Sequence, residues 1–494
     1  MKRTLEADFC IVGAGGGGAV VAAELAEGGA SVVVLEQGPR HDADDFTAHP
    51  PQMLARLYRD AGQTMTIGSP PILMPLGQGL GGTTLVNSGT CFRTPANVLE
   101  RWREEYGLEI DRPAIDACFD RVEHSLSVAE VTPELAGANA AVARRGAERL
   151  GWSHGYLRRN ARGCVGSGVC VFGCPTSAKQ HTGITYIPRA ERAGARVLTG
   201  ADVRELSRER GRVSGVVARM SDGSRLEVRA SEVVLACGAI HTPLLLARNR
   251  IAGGSGQLGR NLSLHPATAA FALMDEDVNM ARGVPQSFYV DEFAGEGLMF
   301  ETVAGPPAYA AMSLPLRGER HTRAMAGYAR LAQLGLMVSD SSRGSVHSLG
   351  GRPVIRYSLD AADLARIRIG LQRIEQLFRA AGASEVYLPL PPGVAPSVAR
   401  ARDLRLMAFH PLGTARADAR PTHGITDGRL AVHGLRGLRI ADGSVVPSAL
   451  GVNPQLTIMA LATRLAFELL GRPVPREPQS PVPDAEIAAT STPT

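Results

Sequence analysis

An α/β fold of the Rossmann type, joined to a second α+β region with its own sheet, is what this sequence predicts. Three observations predict it. At residues 8–38 an apolar strand enters a glycine-rich turn, a helix follows, and a second apolar strand closes the unit. The same style returns near the end, where GLRIADGSVVPSAL reads as strand then loop and NPQLTIMALATRLAFELLG as an apolar helix. Between them lie strand candidates enough for another sheet, and 494 residues exceed what one hydrophobic core serves efficiently.

Taken in order, DFCIVGAG is the buried first strand, VVAAELAEGG the helix and ASVVVLEQG the second strand, too apolar for a half-exposed edge. Residues 39–78 lose that regularity, with prolines in AHPPQM and GSPPILMP, and read as a cover over a site. GQGLGGTTLVNSG then places five glycines among small hydroxyl residues, a density suited to close backbone approach. Residues 96–160 alternate amphipathic helices with loops, and the stretch from Arg196 to Ile240 reads as several strands joined by turns. Residues 266–357 supply the second sheet, and ADLARIRIGLQRIEQLFRAAG has the 3.6-residue spacing of an amphipathic helix. In the last helix Asn453 is expected as the cap, Pro454 in the first turn and Gly471 at the end. The proline-rich remainder reads as an unfolded tail.

Composition excludes several classes. The net charge of +5 rests almost wholly on arginine, since Lys2 and Lys179 are the only lysines, and the arginines are interleaved with Glu and Asp. No basic arm emerges, and aromatics make up only 5%, so nucleic acid is not an expected partner. No apolar run reaches the length of a membrane span, and the N-terminus starts a strand instead of a secretory signal. Seven cysteines, dispersed but for one cluster, fit a reducing, cytoplasmic setting.

Gly13, Gly15 and Gly18 complete G-x-G-x-x-G between strand and helix. The first permits the tight turn, the second lets backbone approach a pyrophosphate, and the third lets helix pack on strand. The helix N–H groups then face the phosphates. Glu36, ending the second strand, suits ribose hydroxyls and repels a 2′-phosphate. This geometry does not separate FAD from NAD.

Four later segments bear on that choice: GLGGTTLVNSG, GAIHTPLLLARNRI, FHPLGTARAD and LRIADGSVVPSALGVNPQLTIMALATR. With the N-terminal turn, in this order, they resemble the glucose–methanol–choline (GMC) oxidoreductase family over most of residues 8–470. The resemblance implies a GMC/glutathione-reductase-like FAD-binding domain in separated segments and an inserted α+β substrate domain with an antiparallel sheet. It divides the chain into FAD-binding segments 1–95, 195–265 and 401–472, substrate segments 96–194 and 266–400, and a disordered tail at 473–494. It implies cofactor contacts from Gly13, Ala14, Gly15, Gly16, Gly18 and Glu36, then Gly81, Gly82, Thr83, Thr84, Asn87 and Gly89. Further contacts would come from Val203 at the adenine, Ala236, Cys237 and Gly238, Asp442 and Gly443 near the pyrophosphate or ribityl chain, and Asn453, Pro454, Gln455 and Thr457.

His410 matches the family's active-site histidine. Asn453 stands where many members have a second histidine, which looks like the cholesterol-oxidase-like and long-chain-alcohol-oxidase-like bacterial branches. The implied activity is oxidation of a primary or secondary alcohol, with hydride passing to flavin N5, His410 as base and Asn453 orienting the substrate oxygen. Imidazole, with a reference pKa near 6.5, suits proton removal at neutral pH. The substrate is expected to be hydrophobic, and oxygen, quinone or another acceptor would reoxidise the flavin. An FAD-containing lyase on the same scaffold and a noncatalytic flavin or electron-transfer protein are the competing readings. The sequence says nothing of oligomeric state.

Cys164, Cys170 and Cys174 form C-x5-C-x3-C. Zinc wants a fourth ligand, which only His181 could offer, and iron–sulfur centres want four cysteines, so no metal is expected. The FGCP stretch is similar to one in some bacterial GMC-type enzymes. A buried loop of small residues, a redox-sensitive thiol pair and a channel wall are its three readings.

Overall fold

The computed structural model describes residues 2–251 and 254–475; the expected tail from 476 onward lies outside the described residues. The first strand, Lys2–Val12, lies parallel between Val32–Leu35 and Arg225–Leu235. Arg196–Leu198 extends this sheet beyond Val32–Leu35, and Leu438–Ile440 pairs in parallel with the end of Arg225–Leu235. The other half of that long strand continues antiparallel into Arg212–Met220 and then Ala201–Glu209. The last segment of the chain thus returns to the centre of a sheet begun by the first.

Helix Gly16–Glu27 is buried from Gly17 to Ala26, which is why its sequence is apolar on every face. It is covered by the terminal helix Gln455–Leu469 and by Tyr186–Arg192, while Arg112–Ser125 packs on the terminal helix and reaches Glu24 of the first helix through Arg121. The terminal helix starts later than expected. Pro454 occupies the capping position, no side chain caps it, and Asn453 lies one residue outside. Asn453 is therefore not the cap, which leaves its amide available to the interior.

The second sheet runs Ile72–Leu73, Leu406–Met407, Ala267–Leu273, Leu331–Val338, Leu298–Thr302, Phe288–Val290 and His154–Tyr156, with Glu385–Tyr387 also on Ala267–Leu273. All its pairs are antiparallel except the first. Leu331–Val338 is buried at every position because helices Ala361–Ala380 and Pro133–Leu150 cover one face and the rest of the molecule the other. Helices Ala96–Tyr106 and Arg112–Ser125 turn Trp102, Cys118 and Phe119 into the first core, whereas Pro133–Leu150 packs into the second. The packing therefore places residues 96–126 with the first core, although the expected division grouped them with the second region in segment 96–194. The expected cover at 39–78 is more structured than its prolines suggest: it holds helix Pro50–Leu57 and strand Ile72–Leu73, with Pro50 in the helix's first turn.

Candidate active site

A single continuous cavity of about 1420 Å³ runs from the first sheet to the second. At one end stands the glycine turn. Gly13 has φ +100°, and a Cβ there would meet the Ala236 carbonyl oxygen at 2.4 Å. A Cβ on Gly18 would lie 2.0 Å from the Gly13 oxygen, so this glycine lets the helix sit against the turn. Beside Gly15 the nearest atom to such a Cβ is the Gly82 Cα at 3.9 Å, leaving the backbone approachable from the cavity.

Glu36 ends the second strand, as expected, and is buried. Its Oε2 accepts the Ala14 N–H at 2.9 Å and its Oε1 the Gly38 N–H at 2.8 Å. Burial pushes its carboxyl pKa up, and these backbone donors oppose the shift. Each oxygen keeps a further lone-pair site, the chemistry a ribose diol requires. Asp442 is likewise engaged: Oδ2 accepts the Gly238 N–H at 2.9 Å and the Thr242 hydroxyl at 2.5 Å, and Oδ1 the Ser444 N–H at 2.8 Å. It fastens the turn before helix Gly238–Arg248 to the turn at 443–445. Asn87 donates through Nδ2 to Oε1 of Gln455 and accepts the Gly89 N–H through Oδ1 at 3.1 Å, joining the glycine-rich segment to the start of the terminal helix.

Most of the expected contacts line the cavity: Gly13, Gly15, Gly16, Glu36, Gly82, Thr83, Thr84, Asn87, Gly89, Val203, Ala236, Cys237, Gly238, Asp442, Gly443, Asn453, Pro454 and Gln455. Ala14, Gly18, Gly81 and Thr457 are not on its wall. Ala14 spends its N–H on Glu36, Gly18 packs behind the turn, and the Gly81 carbonyl accepts the Thr84 hydroxyl. Thr457 is buried against the Thr94 hydroxyl at 2.8 Å. A long groove of backbone donors, a bound carboxylate and glycine openings fits an extended dinucleotide.

The other end is apolar, with Met65, Leu73, Leu336, Met407, Phe409 and Met312 on its wall. Into it come His410, Asn453 and Glu301, from three distant segments. His410 Nδ1 lies 3.3 Å from Nδ1 of His265, the rings edge to face. His265 Nε2 in turn accepts the N–H groups of Leu450 at 2.8 Å and Gly451 at 3.2 Å. Burial drives the His265 pKa down to about 3, and burial together with His265 holds His410 well below its usual value. Glu301 is buried on the strand Leu298–Thr302; burial raises its carboxyl pKa to about 7, opposed by the Asn453 amide beside it. Gln286 Nε2 donates to its Oε2 at 3.1 Å, while Glu301 Oε1 and Asn453 Oδ1 are buried without a hydrogen-bond partner within the protein.

Glu301 and His265 escaped the sequence reading. A single acid in the apolar strand LMFET has no local signature. His265 had a faint one, since His-Pro recurs at 265–266 as at 410–411, but 49–50 repeats it on the surface.

The cysteine segment gives Val171 and Phe172 to the cavity wall, while Cys164, Cys170 and Cys174 lie off it. Lys179 is buried and donates from Nζ to the carbonyls of Leu85, Asn87 and Cys170 at 2.8, 2.7 and 2.8 Å, so it pins the segment to the glycine-rich stretch. Cys170 Sγ accepts from Arg159, and Cys174 Sγ from the Lys179 N–H. Among the described residues no three His, Cys, Asp or Glu side chains are grouped to hold a metal. No helix among them is long and apolar enough to cross a membrane.

Comparison with known proteins agrees with this arrangement. Two family models, both described as GMC oxidoreductase, match residues 54–267 and 340–462. An uncharacterized GMC-type oxidoreductase of Mycobacterium tuberculosis is 41% identical over 481 residues, 95% of this chain and 76% of that one. A long-chain-alcohol oxidase of Arabidopsis thaliana is 30% identical over 508 residues, 93% of this chain and 66% of the relative. Among solved structures, pyridoxine 4-oxidase from Mesorbium loti superposes with a TM-score of 0.73 at 19% identity, over 93% of this chain and 98% of that one. With the groove and the glycine turn already in place, the chain belongs to the GMC oxidoreductase family and takes FAD as its cofactor.

Proposed function

We propose that this oxidoreductase oxidises an alcohol carbon to an aldehyde or ketone, and that the alcohol is hydrophobic. The observation that carries this reading is the convergence of His410 and Asn453 on the apolar end of the cavity whose opposite end is the nucleotide groove. FAD, when bound, supplies the two-electron acceptor for the α-hydrogen. The chain's own residues do the rest. His410 and Asn453 present polar atoms to the hydroxyl oxygen and so orient the carbon that bears it. The N-terminal end of helix Gln455–Leu469 reaches the wall, where its unpaired N–H groups favour negative charge. The similarity to a long-chain-alcohol oxidase supports the substrate class.

Anaerobic mixing of the FAD-loaded protein with a panel of alcohols tests this. Bleaching of the flavin by apolar primary or secondary alcohols is expected, and reoxidation by oxygen or a quinone then identifies the acceptor. Turnover of a substrate with the flavin unchanged would instead identify a lyase, and no response to any alcohol would remove the reading.

A further inference from the structure

Among the described residues, three side chains on the cavity wall carry a buried oxygen with no partner within the protein: Glu301 Oε1, Asn453 Oδ1 and Gln333 Oε1. The first two stand side by side at the alcohol end. The third stands apart and has no part in the reading above. Gln333 is 2% exposed, and an amide oxygen buried without a partner costs stability unless a ligand supplies one.

The sheet fixes where this residue lies relative to the reacting end. Gly335 is the register partner of Glu301, and Gln333 precedes it by two residues on the same face of Leu331–Val338. Two residues of strand carry the chain roughly 7 Å. Between the two rows the wall is bare. Gly335 has no side chain, and Ala269, its register partner on the neighbouring strand, has only a methyl. A Cβ on Gly335 would meet Val303 Cγ2 at 2.9 Å, so bulk at this point would close the run.

Asn139 of helix Pro133–Leu150 holds the backbone of Gln333. Its Oδ1 accepts the Gln333 N–H at 2.8 Å, and its Nδ2 donates to the Gln333 carbonyl at 3.0 Å. It takes over where the pairing with Leu298–Thr302 stops, at Leu334. The backbone is thereby fixed while the side-chain oxygen is left open. Neighbouring polar groups on the wall are already engaged. The Thr268 hydroxyl donates to the Arg405 carbonyl at 2.8 Å, and the Ser313 hydroxyl to the Tyr309 carbonyl at 2.9 Å. Gln286 accepts the Thr90 hydroxyl at 3.2 Å and donates to Glu301 at 3.1 Å.

We propose that Gln333 is a specificity-determining residue whose Oε1 accepts a hydrogen bond from a second polar group of the substrate. The substrate is then an apolar skeleton with two polar ends: the alcohol that is oxidised, and a distal hydroxyl or N–H donor. This rests on the alcohol-oxidation reading and narrows its substrate class. A plain hydrocarbon alcohol reaches the reacting end but leaves the distal amide oxygen buried and unpaired, which counts against it.

Linear primary alcohols, the α,ω-diols of the same length and the ω-methoxy alcohols test this with the FAD-loaded protein. Stopped-flow reduction of the flavin without oxygen gives the Kd of each from the concentration dependence of the rate. At one chain length the diol should bind about 10-fold more tightly than the monoalcohol, after allowing for its two equivalent ends. The ether accepts but cannot donate, and should bind like the monoalcohol. An ω-acetamido alcohol separates the two donors, since the tighter of it and the diol names the distal group. Gln333→Leu should erase the preference and, by removing an unpartnered oxygen, leave the Tm of the holoenzyme equal or higher. Equal Kd values across the whole series would leave water as the partner of the amide and overturn the proposal. So would a preference that survives in Gln333→Leu, an ether that binds as tightly as the diol, or a Tm lowered by several degrees, which would assign the amide to the fold. If no alcohol reduces the flavin, the functional reading falls. Shifts of the oxidised flavin spectrum on titration then still compare diol with monoalcohol and decide the role of Gln333.

Discussion

The two ends of the cavity are made of different materials. At the nucleotide end the two buried carboxylates are engaged before any ligand arrives: Glu36 holds two backbone N–H groups and Asp442 three donors. At the alcohol end, buried oxygens of Glu301 and Asn453 have no partner within the protein. A satisfied groove gives rigidity and a fixed shape. Unsatisfied buried groups cost stability and are kept where they perform chemistry.

Substitutions should separate the two ends, starting with the glycine turn. Gly18→Val puts a side chain into the Gly13 carbonyl and should abolish FAD uptake, read as loss of flavin absorbance in protein that is still expressed. At the other end His410→Ala should retain FAD and lose activity about 10²- to 10⁴-fold. If His410→Ala instead loses FAD, the division between the ends fails.

Asn453→Ala comes next, with kcat down about 10²-fold, comparable to removing one preorganised donor, and little change in flavin content. Asp442→Asn should act in the opposite sense. It weakens charge-assisted bonds that hold two turns, by about 1–3 kcal/mol of stability, read as a lower Tm and faster FAD loss, with residual kcat per bound flavin near normal.

The smallest effect is in the pH dependence of folding. Because the Glu301 carboxyl pKa is raised from 4.5 to about 7, the folded state holds a proton that the unfolded chain has released between those values. Its contribution to stability is therefore complete below about 4.5 and fades as pH rises to about 7. Denaturant titrations at several pH values should show this slope, and Glu301→Gln should remove it.

The same contrast explains what the sequence disclosed. The nucleotide end depends on backbone conformation at neighbouring positions, so Gly13, Gly15 and Glu36 carry their meaning in local spacing. His410 and Asn453 were legible through the resemblance of their segments. Glu301 and His265 were not, because each meets residues from loops distant in the chain: Gln286 and Asn453 for one, Asp340, Leu450 and Gly451 for the other. Asn453 was misread as a cap for a related reason. Asn before Pro is a common helix start, and only the observed start at Gln455 shows that the amide belongs to the interior. Lys179 stood out only as a rare lysine, and its carbonyl partners are Leu85 and Asn87 from a distant stretch and Cys170 from its own segment.

The return of the C-terminal segment to the first sheet has a consequence for biosynthesis. Helix Gln455–Leu469 leaves the ribosome long after the helix Gly16–Glu27 that it covers. Until residues 455–469 are made, the helix Gly16–Glu27 has an apolar flank with no mate, a state prone to self-association. Truncation ahead of Gln455 would leave that flank bare and deliver the protein to chaperones or proteases.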